Sequence, residues 1–231
     1  MRLSASPALL ADSLMSMWLD RETGAKCYML PARALHIAWG DAPDIWGWIY
    51  LAKTKSRPIC LSASAMLDTN DFCFVTSRVV LTIAVCDSSV EAAVLRNVNW
   101  LETRGNIQSK MLSQNSTYAA YMVFKIAPGK SYGLNSPAQE ASVTIGEAKS
   151  TRQVCVGGRR ITGSDPQVPE PLASHVQLPN KRADGWMELE MGQFCSEGGD
   201  DGEVSICLME VRGGRLKKGL IVQGIEIRAK N

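Results

Sequence analysis

Apolar residues in this chain recur at every second position over short stretches, and turn-forming residues end those stretches within about one strand length. Trp186-Met187-Glu188-Leu189-Glu190-Met191 alternates strictly, with Met187, Leu189 and Met191 on one side. Strand side chains point to opposite faces in turn, so this period describes a ribbon with one buried side. Tyr118 to Ile126 is apolar and aromatic and stops at Pro128-Gly129. Ala141 to Ile145, Arg152 to Val156, Val204 to Val211 and Leu220 to Arg228 read as further strands, and Val98 to Gly105 as a strand closed by a glycine turn. Ile161 to Asp184, with four prolines among polar residues, reads as a long surface loop. No long stretch carries the period of an amphipathic helix. The expected fold is all-β, an antiparallel β-sandwich with long loops.

Composition narrows the function classes. At 231 residues and 45% hydrophobic content the chain can bury a core. Its 25 basic and 23 acidic residues are well mixed, so neither nucleic acid nor an anionic membrane is an expected partner. The start, Met1 to Leu19, lacks the apolar run and cleavage site of a signal peptide and reads as a leftover segment. Phe72 to Cys86 is the most apolar window, but it is short and carries Arg78, so no membrane span is expected. Seven cysteines without a C-x-x-C, beside only two histidines, argue against zinc and for free thiols in a reducing compartment. No cofactor is expected. Asn115-Ser116-Thr117 matches a glycosylation sequon, and outside the secretory route reads as a polar turn before a strand.

Trp39-Gly40-Asp41-Ala42-Pro43-Asp44-Ile45-Trp46-Gly47-Trp48 holds half of the six tryptophans in ten residues. Gly40, Pro43 and Gly47 break regular structure, so these rings sit on or beside a loop. Aromatics next to acceptors such as Asp41 and Asp44 suit a sugar, whose C–H face lies on a ring and whose hydroxyls need hydrogen bonds. The alternative is a set of core indoles whose N–H groups find backbone partners. Leu35, Ile37 and Trp39 alternate with His36 and Ala38, which puts Trp39 on the apolar side of a strand and His36 toward solvent.

Several blocks point to one family. Lys26-Cys27-Tyr28-Met29-Leu30-Pro31-Ala32-Arg33-Ala34-Leu35 runs into Trp39-Gly40-Asp41 and Trp46-Gly47-Trp48. Trp100-Leu101-Glu102, Gly105-Asn106-Ile107, Thr117 to Lys125 and Asp184-Gly185-Trp186-Met187-Glu188 follow. Asp201-Gly202-Glu203-Val204, Leu208-Met209-Glu210 and Lys218 to Arg228 complete the series. In this order they resemble the plant phloem protein 2 lectin domain, the Nictaba-like domain, over most of residues 26–52 and 89–229. Met17 to Gly24 resembles the linker of the branch in which an F-box precedes the lectin domain. The residues before that linker are too few for an F-box, so a Skp1-type adaptor is not an expected partner. The expected organisation is a remnant or linker over 1–25 and a lectin-like domain over 26–231. An atypical insert at about 53–88 interrupts it and reads as a translated intron or gene-model error.

The resemblance implies a jelly-roll-like lectin domain that binds N-acetylglucosamine oligomers or the N-glycan cores of glycoproteins without catalysis. It also implies residence in the cytosol and nucleus. Only Lys181-Arg182 are basic in the loop where the family carries a nuclear signal, which puts cytosolic residence first. A homodimer is the assembly that would multiply weak sites. The family's sugar-site tryptophans match Trp39 and Trp46, and its two discussed carboxylates match Glu203 and Glu210. Trp46, beyond the strand and between breaks, is expected to be exposed and to stack on sugar. Trp39 is open between core and site, Trp48 reads as core, and Asp41 is a hydroxyl acceptor or a local turn former. Glu203 is either a glycan contact or a solvated turn residue. Glu210 faces inward and needs a partner, for which Arg228 or Lys218 could serve.

Two other classes compete. A protein-interaction module derived from an F-box substrate receptor would keep the fold with sugar binding lost. A glycoside hydrolase would use Glu188 and Glu190, or Asp201 and Glu203, as paired carboxylates. Glu188 and Glu190 share one strand face opposite the apolar residues, the pattern of a solvated outer face.

Overall fold

The structure, a computed structural model, describes residues 8–9, 15–51, 90–158, 175–197, 202–212 and 214–230. Among the described residues fourteen strands run in order: β1 (Ala8–Leu9), β2 (Ser16–Leu19), β3 (Lys26–Pro31), β4 (His36–Ile37), β5 (Trp46–Leu51), β6 (Val90–Leu95), β7 (Leu101–Gln108), β8 (Ser116–Ile126), β9 (Gln139–Ile145), β10 (Ala148–Val154), β11 (Asn180–Lys181), β12 (Met187–Ser196), β13 (Glu203–Glu210) and β14 (Leu220–Ala229). Short 3-10 turns occupy Ala32–Ala34 and Ser109–Met111, and the described residues contain no α-helix.

Two antiparallel sheets face each other, as expected of an all-β sandwich. The larger has the order β1-β2-β3-β14-β8-β12-β11, with β6 paired both to β14 and to β5. The smaller has the order β10-β9-β13-β7-β4. Strand β14 lies centrally in the larger sheet and buries Leu220, Ile221, Val222, Ile225 and Ile227. Leu220 to Val222 is a short buried run; past the irregularity between Val222 and Gly224, buried Ile225 and Ile227 alternate with half-buried Glu226 and Arg228 on the outer face. One core joins the sheets, including Leu30, Met122 and Ile225 from the larger and Leu101, Val143 and Ile206 from the smaller.

The structure corrects two expectations about elements. Gly105 closes no turn; it sits inside β7, where a Cβ would approach Leu35, Leu30 and Ile225 side chains at 3.0–3.1 Å. Glycine provides space there for the opposite sheet to come close. The supposed linker around Met17–Gly24 is likewise part of the sheet. Ser16–Leu19 pairs with β3, and Asp20 closes the hairpin by accepting from Thr23 N–H at 2.9 Å and its hydroxyl at 2.8 Å. Asn115, at φ +51, occupies the turn before β8. The 53–88 insert and most of the Ile161–Asp184 loop lie outside the described residues.

Strand register decides which loops meet. Trp46 pairs with Leu95, Leu220 with Ile126, and Leu101 with Glu210. Residues 38–45, 96–100, 127–138 and 214–219 therefore gather at one end of the sandwich. Backbone bonds tie them together: Arg96 N–H to Ile45 O at 2.8 Å, Gly219 N–H to Leu95 O at 2.9 Å, and a Val98–Lys217 bridge.

Candidate functional site: an aromatic cleft at the loop end

The cleft is built on the turn that follows β4. Ala38 N–H makes the last bond to β7, at 3.0 Å to Glu102 O, and Gly40 N–H then turns back to Ile37 O at 2.9 Å. Ala42 N–H bonds to Trp39 O at 2.9 Å, and Ala42 O receives both Ile45 and Trp46 N–H groups. Trp39 adopts φ +64, a left-handed conformation uncommon for a non-glycine residue. That rotation ends the alternation Leu35, Ile37, Trp39. The first two are buried, whereas Trp39 is 63% exposed.

Trp46 corrects the exposure expected for it. Its ring is 2% exposed, inside the core, and its indole N–H donates to Ala38 O at 3.1 Å. A ring enclosed in this way offers no face to a ligand. Trp48, two residues along the same strand, is half-buried and donates to Gly40 O at 3.4 Å. The two indoles thus bond the residues on either side of Trp39 and leave the Trp39 ring outside.

Arg33 covers Trp48, its guanidinium 3.6 Å from the ring centroid. It also makes a fork with Glu91, Nε to Oε2 at 2.6 Å and Nη2 to Oε1 at 3.0 Å. These bonds, donated by Arg33 to Glu91, raise the Arg33 pKa and lower that of Glu91. The guanidinium charge is thereby matched within the protein. Arg33, His36, Trp39, Gly40, Asp41 and Trp48 line an open depression of about 580 Å³. It combines aromatic surface with a carboxylate and an imidazole, the mixture found in sites that orient a ligand by a few polar groups.

The residues singled out in the sequence do not form one cluster. Trp39 and Asp41 share the depression, and Trp46 lies beneath it. Glu203 is exposed at the other end of β13, where it pairs with Gln108, six residues along β7 from Glu102. At strand rise that is about 20 Å from the Trp39 turn. Its carboxylate accepts from Asn106 Nδ2 at 3.1 Å, and Asn106 in turn accepts from Ser205 Oγ at 3.0 Å.

Glu210 lies at the cleft end but is 4% exposed and points into the core. Its partner is the fully buried Lys217, not Arg228 or Lys218. Glu210 Oε1 also accepts from Arg212 N–H at 3.0 Å, and Lys217 Nζ donates to Asn99 O at 3.0 Å and Arg215 O at 2.9 Å. Arg228 is engaged on the larger sheet, 2.9 Å from Glu188 and stacked over Tyr121 at 3.8 Å.

The carboxylates of the rival enzyme reading are held in ion pairs. Glu188 meets Arg228 at 2.9 Å and Arg182 at 3.7 Å, and Glu190 meets Arg152 at 2.9 Å and Lys230 at 3.4 Å. Burial raises the Glu190 pKa, but bonds from Gln193 and Arg152 outweigh it and hold the carboxyl below its usual range. A general acid for glycoside cleavage needs the opposite shift. Asp201 lies outside the described residues.

Arg33, His36 and Trp48 are lining residues that sequence reasoning did not place in the site. A signal for Trp48 existed, since positions 46 and 48 share one strand face. Cys27, Cys155 and Cys207 are buried free thiols and Cys195 is an exposed one; desolvation raises the first three pKa values. No metal-holding cluster occurs among the described residues.

Fold and site together define a two-sheet β-sandwich with a loop-borne aromatic cleft at one end. Comparison with known sequences gives its family: the profile described as Phloem protein 2 matches residues 25–70 and 76–229, and the chain belongs to that family. Similar proteins include the F-box protein PP2-B10 of Arabidopsis thaliana, 33% identical over 230 residues, 96% of this chain and 67% of that protein. The F-box protein PP2-B1 of the same plant is 30% identical over 266 residues, 98% of this chain and 69% of that protein.

Proposed function

We propose that this chain is a non-catalytic carbohydrate-binding protein that takes the pyranose rings of N-acetylglucosamine oligomers or N-glycan cores on the outer face of Trp39. The observation that carries the reading is the combination of exposure and anchorage at this residue. The residue is 63% exposed, while the Trp46 and Trp48 indoles bond the carbonyls of its neighbours Ala38 and Gly40. A stacking surface already held in place loses little freedom on binding, which favours even a small ligand. His36 and Asp41 on the cleft lining supply a donor and an acceptor for hydroxyl or acetamido groups. The Arg33 charge is matched by Glu91, which favours a neutral sugar over an anionic ligand. Glycoproteins of the cytosol, with the nucleus as a second compartment, are the proposed partners.

Binding to a glycan array and to chitin oligomers, with Trp39→Ala as control, tests this. Signal lost in a variant that still unfolds cooperatively supports the reading, and a silent array from a folded chain overturns it. The relatives' name as F-box proteins favours a second reading in that event: a recognition module for protein substrates, with sugar binding lost.

A further inference from the structure

We infer that Trp100 is a second stacking platform that extends the Trp39 cleft to a further ring of the same oligosaccharide. The inference rests on the Trp39 reading and assigns it a second subsite.

Trp100 is 52% exposed immediately before β7. The Ala38–Glu102 bond is the last link between β4 and β7, and Trp39 and Trp100 lie one and two residues beyond it on the two segments. Strand spacing and rise place their backbones within about 10 Å of each other. The Trp100 indole N–H is bonded to Glu102 Oε2 at 3.4 Å, and Glu102 Oε1 takes Arg104 Nη2 at 3.2 Å. The N–H is thereby occupied within the protein, and the exposed surface of Trp100 is mainly apolar ring. Arg104 pairs across the ladder with His36 of the cleft lining, so polar groups continue from one ring to the other.

The loop carrying Trp100 is tied down from below. Val98 and Lys217 exchange backbone bonds at 2.9 and 2.7 Å, and Lys217 Nζ holds Asn99 O, the carbonyl next to Trp100, at 3.0 Å. That ammonium is fully buried and paired with Glu210. An exposed indole on a rigid support suits stacking, because little ordering remains for the ligand to impose.

The test titrates the full chain with N-acetylglucosamine and its β-1,4 oligomers of two to four units, for wild type, Trp100→Ala, Trp100→Tyr and Trp39→Ala. In wild type, affinity should rise about tenfold from one unit to the longer oligomers, the scale of one added aromatic contact. Trp100→Ala should remove that rise while leaving single-unit binding unchanged, and Trp100→Tyr should restore most of it. Trp39→Ala should lose binding at every length. If Trp100→Ala keeps the full length dependence while Trp39→Ala abolishes binding, the second platform is overturned and the Trp39 site stands. Absence of binding by folded wild type at all lengths overturns both.

Discussion

The indole N–H of Trp46 donates to the carbonyl of Ala38 at 3.1 Å, from a ring that is itself 2% exposed. Eight residues separate the two, and the bond closes the loop between them. A buried donor without a partner is costly, so Trp46 cannot reach its core position unless Ala38 O faces it. The chain then turns at Trp39. The tryptophan whose exposure was expected supports the one whose burial was left open.

Trp46→Ala should behave as a core mutation rather than a ligand-site mutation. The expected loss is about 3–5 kcal/mol in denaturant unfolding, the range for removing a buried aromatic. Trp46→Phe should recover much of that stability but not the Ala38 bond. A Trp46→Ala protein of wild-type stability would show that the ring is not packed as described.

Trp39 is held at φ +64, a conformation costing about 1–2 kcal/mol in an L-residue and almost nothing in glycine. Trp39→Gly should therefore be more stable than Trp39→Ala by about 1 kcal/mol. Both should lose glycan binding equally. Chemical denaturation of the two variants beside wild type checks the order, and equal stabilities would argue against the left-handed turn.

Glu210 and Lys217 form a buried ion pair, so removing either partner leaves a charge in the core. Lys217→Ala or Glu210→Ala should cost about 3–5 kcal/mol. The double substitution should cost clearly less than the sum of the two. Additive losses from a double-mutant cycle would mean that the charges do not interact.

Glu91 gives the cleft an acid limit. Its folded pKa lies below the ordinary glutamate value because of the bond from Arg33. The stability it contributes is fully present above the unfolded pKa and declines as pH falls through the depressed folded one. The Arg33 guanidinium stays charged throughout, so the dependence belongs to the carboxylate. Unfolding midpoints measured from neutral pH into the acid range should fall more for wild type than for Glu91→Gln. Parallel curves would remove Glu91 as the cause.

Much of the fold was legible in order. Tyr118 to Ile126, Trp186 to Met191 and Leu220 to Arg228 follow rules a strand obeys locally, as short apolar runs or alternating side chains between turn residues. Gly105 misled because glycine is common in turns, while its role here depends on Leu30, Leu35 and Ile225 arriving from distant parts of the chain. The Met17–Gly24 hairpin was hidden for a similar reason. Its pairing with β3 rests on ladder hydrogen bonds, and those leave little trace in residue type.

The site divides along the same line. Sequence alone determined that a tryptophan-rich loop follows an early strand, that Glu210 points inward, and that Glu188 and Glu190 share a face opposite the core. Each of these follows from a two-residue period or a turn residue, which act over a few positions. Tertiary structure alone decided that Trp39 is out and Trp46 is in, that Lys217 answers Glu210, and that Glu203 stands at the far end. Those outcomes depend on which buried donor meets which carbonyl and on how strands are registered across the sheets, and both are settled only when remote segments pack together.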